Sequence, residues 1–136
     1  YTTWVTSMLE KSAKMDVSDW YDSAILGGLE ALSSGITCVA DITATGAACT
    51  ATQKLGMRSV IYREVGAMDK RRVDYAMRIA ENDIMHWREE VDGDRITIGV
   101  APAAMYACHP SMFSKVSEFA RRENVPRRIL SYCAET

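Results

Sequence analysis

A strand that runs into a loop and then a helix, recurring along the chain, limits the available folds more than any other feature. The fullest copy is residues 94–113, D-R-I-T-I-G-V-A-P-A-A-M-Y-A-C-H-P-S-M-F. Residues 95–101 form a short run rich in Ile, Thr and Val. Such near-continuous apolar runs suit a strand covered on both faces in a parallel sheet. Pro102 is expected to stop that strand, because proline has no N–H to give to a ladder. Residues 103–109 read as a loop, and Pro110 suits the first turn of a helix reaching about Asn124. In units of this kind, chemistry sits in the loop after the carboxyl end of the strand.

The same unit recurs through the chain. Trp4, Val5, Met8 and Leu9 give helical spacing over residues 1–14. Asp16 is placed to cap a helix over 17–33, with Asp19 in its acidic first turn and Gly35 as its C′ residue. Residues 36–40 read as a compact buried strand closed by Asp41, and 45–55 as a short helix ended by Gly56. Residues 59–64 form the next strand. Asp69 then caps a long helix to about Glu90, and 92–94 make a turn. Residues 127–132 are the last strand expected. Four strands alternating with helices predict an α/β fold with parallel βα units preceded by helices. Such a unit makes either a small open sheet or half of an eight-stranded barrel. A half barrel leaves two bare edges, so self-association into a homo-oligomer is expected. An open, complete four-strand sheet would instead suit a flavodoxin-like binding module.

Composition narrows the partners. The 136 residues carry a net charge of −2 and are enough for one core. The basic sites Lys70-Arg71-Arg72, Arg121-Arg122 and Arg127-Arg128 are short and flanked by acids, which is no footprint for nucleic acid. No apolar run approaches the length of a membrane span, and no signal-peptide pattern is present. Cys38, Cys49, Cys108 and Cys133 form no C-x-x-C pair, so buried or neutral thiols in a reducing, cytoplasmic setting are expected. A chain that opens on Tyr1 is expected to be a fragment.

L-G-G-L-E-A-L-S-S-G-I-T-C-V-A-D (26–41), the 92–113 stretch, and the terminal C-A-E-T after N-V-P follow one another in an order that resembles the amidohydrolase superfamily. The resemblance is closest to its cytosine, guanine, S-adenosylhomocysteine and chlorotriazine deaminase and hydrolase branch, and it covers nearly the whole chain as one partial domain. It implies a TIM-type (β/α)8 barrel whose strand ends hold zinc or iron and an activated water. That water attacks a C–N or C–Cl bond of a purine, pyrimidine or triazine. The metal lowers the water's pKa while a carboxylate moves the proton. Glu135 falls on the proton-shuttling Glu of the family's H-x-x-E.

The departures are as informative. The metal-binding His of H-x-x-E falls on Tyr132, a poor zinc ligand. The substrate-contacting His after the strand-end proline falls on Ala103. Tyr106 sits in the loop where substrate lies in the family, as part of a binding wall. The H-x-H of the first strand would precede Tyr1, and the later metal His and Asp would follow Thr136. The chain is therefore expected to hold no metal by itself. Two readings stand: a fragment of a metal-dependent hydrolase, and a catalytically silent piece that folds or assembles.

Other candidates have simpler roles. Asp41 and Glu64 close neighbouring strands as paired carboxylates or, more simply, as acids that bond loop backbone or cap helices. Cys108 and His109 are adjacent and point apart in a strand-like loop, which favours a loop histidine over a thiol–imidazole pair. His86 lies beside Trp87 in the long helix and reads as structural. Glycine loops for phosphate are missing from the sequence.

Overall fold

The computed structural model describes residues 2–125. Two helices come first, α1 (Thr2–Ser12) and α2 (Val17–Ser33), followed by β1 (Cys38–Thr43), α3 (Ala47–Lys54), β2 (Arg58–Val65), α4 (Lys70–Glu90), β3 (Ile96–Pro102), a 3-10 turn (Met105–Ala107) and α5 (Ser111–Arg122). The expected alternation holds over this span. The fourth strand expected at 127–132 lies outside the described residues.

The helix starts are set locally. Asp16 accepts from the Asp19 N–H, while the Asp19 carboxylate takes the Asp16 N–H, a reciprocal capping box. Gly35 follows α2 at φ +83°, a left-handed C′ position. Asp69 caps α4 through the Arg71 N–H.

The three strands pair in parallel and in sequence order, β1-β2-β3. Alternate residues divide the two faces. Ile61 and Val65 of β2, with Ile96, Ile98 and Val100 of β3, join the core of Val73, Met77, Ala80, Ile84 and Trp87 from α4 and Met112, Val116 and Phe119 from α5. Val60, Tyr62 and Glu64, with Thr97, Gly99 and Ala101, take the opposite face.

Three local expectations are corrected. The strand expected at 95–101 runs over 96–102 and ends on Pro102 itself, in register with Val65. The bond to β2 is made by the next residue, as Ala103 N–H donates to Val65 O at 2.9 Å. The missing proline donor therefore faces away from β2. The first strand is neither at 36–40 nor buried. It runs to Thr43, with three of its six residues exposed, because it is the edge of the described sheet. Cys38 on that edge is exposed, whereas Cys49 and Cys108 are buried as expected. Among α2 residues none is buried, and Val17, Leu26 and Leu29 are exposed.

Candidate functional site at the carboxyl ends of the strands

A loop follows the carboxyl end of each strand. After β1, the Thr43 hydroxyl donates to Thr45 O at 2.9 Å and accepts from Thr45 N–H at 3.1 Å, a tight turn into α3. The loops after β2 and β3 are joined along their length. Ala103 N–H donates to Val65 O, and His109 N–H donates to Ala67 O at 2.7 Å. Gly66 makes this approach possible. A Cβ there would lie 2.9 Å from the Ala103 Cβ and 3.6 Å from the Cys108 sulfur.

Ala103, expected from the resemblance at a substrate-contacting position, is half-buried on the rim with its methyl against Gly66. Tyr106 stands in the 3-10 turn and is 58% exposed. Glu135 and Tyr132 lie outside the described residues.

Cys108 is buried under the same loop, with its thiol 3.5 Å from Ala103 O. Burial pushes its pKa up, bonds from the backbone of Ala67 and Ala103 pull it back, and the Glu64 charge raises it. A neutral, covered thiol is a poor nucleophile. The imidazole beside it is engaged elsewhere, since His109 Nδ1 lies 2.8 Å from Ser111 Oγ and 3.2 Å from Ser111 N. His109 is thus a loop histidine, as expected. His86 is on the outer side of α4, 3.4 Å from a Glu90 oxygen, and is 64% exposed.

The paired-carboxylate option fails on register. Asp41 is mid-strand opposite Ile61, on the helix side, where its charge acts on the Cys49 thiol of α3. Glu64 lies three residues beyond Ile61 and alternates onto the other face. The two carboxyls do not converge.

Sequence reading missed Arg63. On the helix side of β2 it reaches Asp83 of α4 at 2.8 Å, bonds Glu64 O, and sits 6.0 Å from the Trp87 ring centre. Its signal was an arginine amid strand residues, two positions after buried Ile61. Arg63 and Glu64 also line a cleft of about 520 Å³ with Met68, Arg72, Tyr75 and Ile79. Among the described residues, no group of three or more His, Cys, Asp or Glu side chains is placed to hold a metal ion. The described residues therefore do not fit the metal that the resemblance implies.

Parallel strands in sequence order, with returning helices packed on one face, make this a partial (β/α) barrel. The chain is similar to the 5-methylthioadenosine/S-adenosylhomocysteine deaminases of Desulforamulus reducens (31% identical over 98% of this chain and 30% of that protein) and Carboxydothermus hydrogenoformans (28%, over 93% and 29%). It is 29% identical to the 5'-deoxyadenosine deaminase of Methanocaldococcus jannaschii over 86% of this chain and 28% of that protein. In structure it matches a triazine hydrolase from Arthrobacter aurescens, with TM-score 0.75 and 22% identity over 90% of this chain and 33% of that one. The zinc-complexed atrazine chlorohydrolase TrzN from Arthrobacter aurescens TC1 gives TM-score 0.72 and 21% identity over the same shares, 90% and 33%. No family model matches the chain. These relatives support the resemblance to the amidohydrolase superfamily, and the fold is that of part of such a barrel. The chain spans about 30% of the length of the curated relatives it matches.

Proposed function

We propose that this chain is one section of the barrel of a metal-dependent amidohydrolase that deaminates a purine, pyrimidine or triazine by hydrolysis. The observation that carries this reading is the similarity to named deaminases along nearly the entire chain, in the order of the parallel βα units. The relatives' names favour an adenosine-derived substrate such as 5-methylthioadenosine or S-adenosylhomocysteine.

In this reading the section supplies wall. The 103–109 loop, with Ala103 and Tyr106, borders the substrate, and Glu135 keeps the family's place for moving the proton to or from the attacking water. The metal, zinc or iron, is held by residues other than the described ones. Ala103 in place of an imidazole removes one donor that the family offers its heterocycle, so substrate contact at this rim relies on the remaining loop atoms. A cytoplasmic setting suits the three described thiols, none of which is in a disulfide.

A second reading, a folded section that turns nothing over, is favoured by the mismatch between the described residues and a metal site. Elemental analysis of the purified chain, with ammonia release from 5-methylthioadenosine assayed alongside, separates the two. The isolated 136 residues are expected to carry no stoichiometric zinc or iron and to release no ammonia. Metal bound at one per chain would show a ligand set outside residues 2–125. The barrel-section reading is tested by the flanking coding sequence, which should contain H-x-H upstream and a His and an Asp at strand ends downstream. Their absence on both sides would leave the silent reading.

A further inference from the structure

We propose that the 103–109 loop ends in a proton-sensitive latch, in which the neutral imidazole of His109 caps α5 and its protonation releases the cap. The residue at the N-cap position is Pro110, which offers no side-chain acceptor. His109 fills that role from one residue further out. Its Nδ1 accepts from the Ser111 backbone N–H at 3.2 Å and lies 2.8 Å from Ser111 Oγ. A ring nitrogen that accepts an N–H has no proton of its own, so the ring proton is on Nε2.

Protonation changes what Nδ1 can do. The new N–H can still be given to Ser111 Oγ, with that bond reversed. Ser111 N–H, however, loses its acceptor and is left facing another N–H. The same His109 backbone N–H holds Ala67 O across the rim, so the latch closes the end of the loop that carries Tyr106.

Charged groups of both signs stand around the ring. Asp69, the cap of α4, is the carboxylate that interacts with His109. It is held by Arg71, with Arg72 acting on it as well. Within the loop the neighbouring Cys108 thiol is buried, and on α5 the Lys115 ammonium is taken up by Asp74.

Amide exchange measured by NMR on the 136-residue chain between pH 8 and pH 5, corrected for intrinsic rates, tests this. Protection at Ser111 is expected to fall about fivefold on the acid side, the factor that loss of an ordinary N-terminal cap represents. Ala80 and Ile84 in α4 should keep theirs. Ring nitrogen shifts at pH 8 should report the Nε2–H form. His109→Asn keeps a neutral acceptor at every pH and should remove the dependence, while His109→Ala should be poorly protected throughout. Unchanged Ser111 protection in the wild type would overturn the latch. An equal fall in His109→Asn, or an Nδ1–H ring at pH 8, would also overturn it. If the alanine variant does not fold, the asparagine comparison and the ring shifts decide alone.

Discussion

Gly66 and Ala103 meet where the loops after β2 and β3 touch, and one carbon atom more is one too many. Gly66→Ala would bring a methyl to 2.9 Å from the Ala103 Cβ. It should lower stability by roughly 1–3 kcal/mol, as overpacking of a close contact does, read as a shifted urea midpoint. Adding Ala103→Gly should return much of the loss, and a non-additive pair would confirm that the two methyls collide. The described thiols should differ as sharply. Burial, reinforced by the charges of Asp41 and Glu90 and opposed only by a backbone bond, pushes Cys49 up to about 12. A maleimide followed by mass spectrometry at pH 7 to 9 should therefore modify exposed Cys38 in the native chain. Cys49 should react only after unfolding, because raising the pH within that range leaves it a neutral thiol. Little of this was legible in the sequence. The resemblance singled out Ala103, but the need for glycine at position 66 arises from a contact with a distant loop.

At the scale of elements, Arg63 ties β2 to α4. Its side chain is 15% exposed and that of Asp83 35%, so the pair is only partly screened by water. Asp83→Ala should cost about 1–3 kcal/mol in thermal or urea unfolding, in the range for a charged hydrogen-bond partner left half-buried. Asp83→Asn should cost less, since an amide oxygen still accepts from the guanidinium. The boundaries of α2 and α4 were readable because caps are local: Asp16 with Asp19, and Asp69, act within three residues of themselves. The exposure of β1 was not. An apolar run announces a strand, but whether its faces are covered depends on which elements lie beside it. The same limit hid the fate of Asp41, whose face is fixed by its register with Ile61 and not by its place near the end of an apolar run.

For the whole molecule, the exposed surface has a direction and a composition. β1 bares its outer edge, and Trp4, Leu9, Val17, Leu26 and Leu29 add exposed apolar area from α1 and α2. Among the described residues no helix is long and apolar enough to cross a membrane. The isolated chain is expected to self-associate, with an average mass in sedimentation that rises with concentration. A constant monomer mass across that range would count against it. The order of the strands was legible from alternation alone, while the partners of the outer edges were not, since a sequence states its own pattern and not its neighbours'. At the opposite side of the sheet, Pro102 sets a limit of another kind. Ile98 and Val100 each turn an N–H away from β2, that of Ile96 being given to Asp92 O, whereas Pro102, next in that series, has none. A strand joining that side would find two donors, at Ile98 and Val100, and then a gap. Its zipper would end one rung short, and the chain beyond would be free to peel outward as the lip of an opening.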